Sequence, residues 1–297
     1  MAADGAREGY AKLGGLSFRY RDWGGPSTGS GRGNDGPALL LLHGLASTAR
    51  IWDLTAPLLR AGARVVAMDQ RGHGASDKPD HGYDYETLVG DALGLLDHLD
   101  AERAVIVGHS WGASVALNAA AQSPDRVAAV VLLDGGFGDL GARMTWVEAA
   151  QRLAPPDLTQ LTPADLLERI RSHTPLDLSR PEIAEVILAN FAVGEDGHIR
   201  PHLTRERHLR IVRAMWEQRS SELYPRVDVP VLLAPARSND ANLSDFQRMK
   251  AENVARALEL LPDGRAVWFE DSIHDVPLQR PELVAETILA FVRESLG

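Results

Sequence analysis

Cysteine is absent from the 297 residues, which removes disulfides, thiolate metal sites and cysteine nucleophiles together. Lysine is scarce: Lys12, Lys78 and Lys250 stand against 28 arginines. Codon usage of a GC-rich genome produces that bias as readily as heat adaptation, whose clearer sign is lysine together with glutamate, so it carries no stability argument. No apolar run approaches the roughly 18 residues of a membrane-spanning helix. Met1–Tyr10 is small and polar, without the apolar stretch of a secretory signal. The expectation is a soluble, cytoplasmic chain. A net charge of −10 without a block of basic residues argues against nucleic acid and anionic membrane as partners. The glycines of Gly24–Pro37 are not followed by Gly-Lys-Ser/Thr, so they read as a flexible connection between strands and not as a phosphate loop.

A chain of this length with 44% hydrophobic residues buries a large core and suits one α/β domain carrying an inserted subdomain. Leu16–Trp23 alternates as an early antiparallel strand. Apolar runs at Leu39–Leu42, Val65–Met68, Ala104–Val107, Ala128–Leu133, Val231–Ala234 and Ala266–Phe269 are short and continuous, as in parallel strands covered on both faces. The rhythm breaks between Leu133 and Val229, where Pro163–Ser172, Pro181–Phe191 and Thr204–Gln218 have helical patterns.

Gly108-His109-Ser110-Trp111-Gly112 lies between the run Ala104–Val107 and the alanine-rich helical pattern Ala113–Ala121. Strand, sharp turn and helix put a serine on a strained corner with its hydroxyl clear of the backbone, and side chains at the two glycines would collide as strand and helix approach. Upstream, Leu39–Leu42 runs into His43-Gly44-Leu45. A His-Gly after a strand is where an oxyanion hole is built, with the N–H groups of Leu45 and Trp111 as donors. His274 follows the last strand signal, the place in chain order for the base.

These segments resemble an α/β-hydrolase-fold serine hydrolase, from about Leu16 to the C-terminus and more weakly between Phe137 and Tyr224. Asp69-Gln70-Arg71-Gly72-His73-Gly74-Ala75-Ser76 is similar to the family's Asp-x-Arg-Gly-x-Gly-x-Ser segment. Asp69, Arg71 and Gly72 read as scaffold, a turn held by an internal ion pair. The resemblance implies a mostly parallel, doubly wound sheet, with core residues 1–136 and 225–297 and a helical cap, 137–224, inserted after the sixth core strand. His43, Trp146, Phe191, Met215 and Trp216 are then expected to contact substrate, although the aromatics compete with a role in joining cap helices. Arg205-Glu206-Arg207-His208, with Arg210 and Arg213, reads as a solvated helix face in preference to a carboxylate clamp.

Two aspartates compete to orient His274. Asp134 ends the sixth strand and matches branches of the family that place the acid there. Asp240 lies near the commoner position, where Ala-Arg-Ser-Asn replaces the usual Gly-x-x-Asp. Spacing favours Asp134 and leaves Asp240 as the alternative.

Dehalogenases and epoxide hydrolases of this fold attack with an aspartate at the elbow, and here the residue is Ser110. The implied chemistry is hydrolysis of a small carboxylic ester or lactone through an acyl-enzyme, without metal or cofactor. Two alternatives remain. One is a peptidase resembling proline iminopeptidases, with Glu148, Glu182 or Glu185 holding a substrate amine. The other is a slow-turnover ligand receptor of the same fold.

Overall fold

The computed structural model of the chain describes residues 5–25, 38–239 and 244–297. The first half alternates strand and helix: β1 (Arg7–Leu13), β2 (Leu16–Gly24), β3 (Ala38–Leu42), α1 (Ala56–Leu59), β4 (Val65–Met68), α2 (Tyr85–His98), β5 (Ala104–His109), α3 (Trp111–Gln122) and β6 (Val127–Leu133). Then come α4 (Trp146–Arg152), α5 (Pro163–His173), α6 (Pro181–Leu188), β7 (Phe191–Val193), β8 (Ile199–Pro201), α7 (Arg205–Glu217) and α8 (Ser220–Leu223), none of which joins the main sheet. The last part supplies β9 (Val231–Ala234), β10 (Ala236–Arg237), α9 (Ser244–Leu260), β11 (Gly264–Ala266), β12 (Phe269–Glu270), α10 (Val276–Gln279) and α11 (Pro281–Leu296).

The eight-stranded sheet has the order β1-β2-β4-β3-β5-β6-β9-β11. The first two pairings, β1 with β2 and β2 with β4, are antiparallel, and the others are parallel. Because successive strand residues face opposite ways, the continuous apolar runs divide between two cores. Leu40, Leu42, Ile106, Val130 and Leu132 lie with residues of α2 and α3. Leu39, Leu41, Val105, Val107 and Val131 lie with residues of α1 and α11. That division is why both faces need helices, and why the apolar runs do not alternate with polar residues.

Three elements depart from the sequence reading. β1 has no apolar signal because it is an edge strand: Ala11 is its one buried residue, and backbone pairing to β2 holds it. The expected strand Ala266–Phe269 is interrupted, with Gly264–Ala266 opposite β9 and Phe269–Glu270 opposite β10. The break lies opposite Pro235, which has no N–H to give to the ladder. Phe191 is not helical, since α6 ends at Leu188 and Phe191 pairs with Pro201 across the β7–β8 hairpin. Asp240 and residues 26–37 of the Gly/Ser-rich connection fall outside the described residues.

The Asp69–Ser76 turn is scaffold of a different kind from the one expected. Asp69 pairs with Arg19 at 3.0 Å and accepts the Ala49 and Ala75 N–H groups, while Arg71 pairs with Asp91 of α2 through two 2.7 Å bonds. The turn is therefore tied to its neighbours by two ion pairs, one to β2 and one to α2, and not by one within itself.

Candidate active site

Ser110 stands between β5 and α3 at φ 55° and ψ −120°, a backbone conformation rare for a residue with a side chain and typical of strained functional positions. The approach of strand and helix enforces it. A Cβ on Gly108 would lie 2.2 Å from the carbonyl oxygen of Gly112, and one on Gly112 would lie 2.5 Å from that of Leu42. Only glycines let the turn close.

β5, β6 and β9 are neighbours in the sheet, so their carboxyl ends deliver side chains to one edge. Asp134 follows β6 and His274 lies in the loop between β12 and α10. His274 Nε2 lies 2.9 Å from Ser110 Oγ, and His274 Nδ1 lies 2.6 Å from Asp134 Oδ2. The two nitrogens of one imidazole thus bridge the serine and the carboxylate. The histidine loop is fixed from beneath, because His109 Nε2 donates to the His274 carbonyl at 2.8 Å and Ile273 N–H donates to Gln279 Oε1 at 2.8 Å.

Asp134 is fully engaged. Its side chain is 2% exposed, and Oδ1 accepts from Lys250 Nζ at 2.7 Å and from Ala236 N–H at 2.9 Å. Burial opposes the charge, but the His274 hydrogen bond and the charges of His274 and Lys250 prevail and hold its pKa at about 2. For His274, burial pushes the pKa down, while the hydrogen bond and charge of Asp134, aided by Asp275, push it up against Lys250. The His274 side chain is 53% exposed, so its desolvation is partial and the net upward direction stands.

Lys250 has no counterpart in the sequence reading. It sits on α9 among Arg248 and Glu252, in a pattern indistinguishable from a solvated face, and its rarity as a lysine is the one signal the sequence offers.

On the other side of Ser110, Gly44 lies so close that a Cβ there would be 3.0 Å from Ser110 Cβ. Leu45 follows in the turn closed by the Ser47 N–H to Gly44 carbonyl bond, and Trp111 opens α3, where its N–H has no acceptor within the helix. His43, expected to touch substrate, is completely buried beneath this turn. Its Nδ1 donates to the Gly44 carbonyl at 2.7 Å and its Nε2 accepts the Gln70 N–H at 3.0 Å. Burial lowers its pKa to about 4, so it is a neutral brace.

A cavity of about 340 Å³ reaches Ser110 and His274, with Phe137, Met144, Leu153, Met215, Phe246 and Met249 as its apolar wall. Of the expected substrate contacts it contains Met215. Trp146 and Trp216 instead pack edge to face on each other with Arg213 against both, its guanidinium 4.9 and 4.7 Å from the two ring centres, and so join α4 to α7. Phe191 lines a separate 90 Å³ cavity behind the Ala46–Ser47 turn. A larger groove of about 650 Å³ between Pro155–Thr159 and Arg200–Arg205 contains none of the Ser110 cluster.

The basic stretch of α7 keeps clear of the Ser110 cavity. Arg210 pairs with Glu206 and Arg213 with Glu217 one turn away, while Arg207 pairs with Asp80. His208 is the exception to a solvated face, buried with Nε2 on the Leu153 carbonyl at 2.8 Å. The three glutamates that an amine site would need are also elsewhere: Glu148 caps α4, Glu182 pairs with Arg180 and Glu185 with Arg50. Among the described residues no cluster of three or more His, Asp or Glu side chains is arranged to hold a metal ion, and no helix is long and apolar enough to cross a membrane.

Residues 37–191 match the family described as alpha/beta hydrolase fold, over more than half of the chain. The chain belongs to this family. It is 48% identical over 100 residues to epoxide hydrolase A of Mycobacterium tuberculosis, a match covering 33% of this chain and 31% of that protein. The chain therefore spans about a third of the length of that relative. A longer match, 29% identical over 265 residues, covers 86% of the chain and 88% of a 2-(acetamidomethylene)succinate hydrolase of Mesorhizobium japonicum. The crystal structure of E-2-(acetamidomethylene)succinate hydrolase superposes with a TM-score of 0.78 at 25% identity, covering 97% of this chain and 99% of that one.

Proposed function

We propose that the chain is a serine hydrolase that cleaves a small carboxylic ester or lactone through an acyl-enzyme. The observation that carries this reading is the unbroken line from Ser110 Oγ through both nitrogens of His274 to Asp134 Oδ2, at 2.9 and 2.6 Å. His274 Nε2 takes the hydroxyl proton as Oγ bonds to the carbonyl carbon, and the same proton passes to the departing alkoxide. Water then enters by the reverse route, giving up a proton to His274 as it attacks and returning Oγ–H to Ser110. The oxyanion of each tetrahedral intermediate is assigned to the N–H groups of Leu45 and Trp111, a reading supported by the close approach of Gly44, which precedes Leu45, to Ser110 and by the place of Trp111 as the next residue in the chain.

In this scheme residues 137–224 act as a cap over the core, and Phe137, Met144 and Met215 offer an apolar acyl or alcohol group a wall to pack against. A cytoplasmic enzyme acting on a small molecule belongs to the same reading. Epoxide opening, the activity in the name of one relative, lacks support because the elbow residue is a serine. The aminopeptidase reading loses its basis with Glu148, Glu182 and Glu185 placed away from the cavity.

Labelling with a fluorophosphonate, followed by peptide mapping, tests the nucleophile: the adduct belongs on Ser110 and disappears in Ser110→Ala. A panel of aryl esters, lactones, amides and epoxides then tests the bond cleaved. Turnover below about 0.1 s⁻¹ on every ester and lactone, against a typical enzyme median of about 10 s⁻¹, would replace the hydrolase reading with the receptor reading.

A further inference from the structure

Lys250 takes no part in the scheme above, yet it touches the carboxylate on which that scheme depends. Its Nζ donates to Asp134 Oδ1 at 2.7 Å and to the Ala236 carbonyl at 2.8 Å, and it lies 5.2 Å from the centre of the Phe246 ring at the cavity wall. The two charged side chains are 9% and 2% exposed. A buried ion pair gains little stability over a well-packed apolar pair, so stability alone does not account for placing a lysine there. We propose that Lys250 is a positioning residue of the reaction, which fixes the Asp134 carboxylate by one oxygen and keeps His274 available as a neutral base. The proposal rests on the acyl-enzyme reading of Ser110, His274 and Asp134.

The geometry divides the carboxylate in two. Lys250 Nζ and the Ala236 N–H both hold Oδ1, so rotation of the carboxylate would break two charge-assisted hydrogen bonds, one of them with charge on both partners. Among the described residues, Oδ2 is left to His274 Nδ1. The charge balance follows from the same contacts. His274 is faced by Asp134 from the end of β6, by Asp275 next in the chain, by His109 from β5 and by Lys250 from α9. Asp134 and Asp275 favour the imidazolium. His109 adds no fixed charge near neutral pH, because burial holds its pKa at about 4. Lys250 is the cation of this set that opposes the two aspartates. Without it, the resting site would carry an uncompensated carboxylate and His274 would hold its proton to higher pH, where it cannot accept another from Ser110.

The test uses the rate of Ser110 phosphonylation by a fluorophosphonate between about pH 5 and 9, which requires His274 as base and no knowledge of the natural substrate. Lys250→Met should move the acid limb of that profile to higher pH by about 0.5 to 2 units, the Coulomb range for unit charges about 6 Å apart between water-like and surface-like dielectric. Lys250→Arg, which keeps the charge, should leave the limb close to its wild-type position. If Lys250→Met does not fold, Lys250→Gln removes the charge while retaining a donor for Oδ1, and the same shift is expected. A lower plateau with an unmoved limb in the neutral variant overturns the proposal and leaves Lys250 as packing. Failure of the wild-type protein to label at Ser110 is a separate result: it removes the acyl-enzyme reading and takes the proposal with it.

Discussion

His109 holds the histidine loop: its Nε2–H donates to the backbone carbonyl of His274 at 2.8 Å, and the two rings lie 4.9 Å apart, centre to centre. The residue before the proposed nucleophile therefore sets the height of the proposed base, through a contact between two segments 165 residues apart in the chain. His109→Phe fills the same space without the donor. Losing one neutral hydrogen bond costs about 1 kcal/mol or slightly more of folding stability, and a comparable loss in positioning His274 would lower kcat/KM roughly 5- to 10-fold. His109→Gln retains a donor and should recover part of the loss. Equal activities in His109→Phe and the wild type would show that the loop is held by other contacts, such as Ile273 to Gln279.

Asp134→Asn should be far more damaging, for a reason visible in the donors around it. Lys250 Nζ and Ala236 N–H require an acceptor on the Oδ1 side, so the asparagine must turn its NH₂ toward His274. Nδ1 then accepts, the ring proton moves to Nε2, and Nε2 faces Ser110 unable to take a proton. At comparable triads this change lowers kcat by a factor on the order of 10⁴. Asp240→Asn should cost little. Steady-state kinetics on one aryl ester decide it, and the opposite ranking would transfer the role to Asp240.

The elbow is legible in the amino-acid sequence because strand, turn and helix occupy one short stretch, and steric crowding there leaves Gly108 and Gly112 no substitutes. The apolar runs are legible because both sheet faces are covered. Spacing along the chain favours Asp134 over Asp240, but the 2.6 Å contact of Asp134 with His274 is a product of the folded sheet, which brings the carboxyl ends of β5 and β6 together. Trp146 and Trp216 mislead for a related reason. An aromatic on an amphipathic helix has the same pattern whether it faces a ligand cavity or stacks on Arg213. Lys250 is nearly silent because, apart from the rarity of lysine in this chain, it differs from its solvated neighbours in what the folded chain brings to it.

The activity of the wild-type protein should decline in acid through His274. The ring must be neutral to accept the Ser110 proton, and Asp134 and Asp275 raise its pKa above the ordinary 6.5 despite burial and Lys250. Activity is thus lost as pH falls through a value above 6.5. Asp134, held at about 2, stays ionised throughout and adds no second limb at mild pH. The pH profile of kcat/KM on an ester with no ionisable group should give one acid limb with a midpoint above 6.5. A midpoint at or below about 6 would mean that the base is not governed by Asp134.

Stability should respond to acid through other histidines. Burial is the first cause that lowers the pKa of His43 and of His109 to about 4, and of His73 well below 6.5. Each is held neutral in the fold, whereas the unfolded chain binds protons near 6.5, so between about 6.5 and 4 unfolding takes up protons. Stability is greatest above that window and erodes as pH falls through it, by roughly 1.4 kcal/mol per pH unit for each ring fully in the window. His274 acts in the opposite sense: its raised pKa adds stability below 6.5 that disappears as pH rises through its folded value, and its half-exposed side chain keeps that effect small. Urea unfolding midpoints at several pH values from 7.5 to 5 should therefore fall steadily. In His43→Gln, a side chain able to offer both a donor and an acceptor where Gly44 and Gln70 need them, the fall should be shallower by about one proton's worth even if the variant is less stable at every pH. A wild-type midpoint constant from pH 7.5 to 5 would show that these rings are protonated within the fold, and that the turn beside Ser110 does not depend on their neutrality.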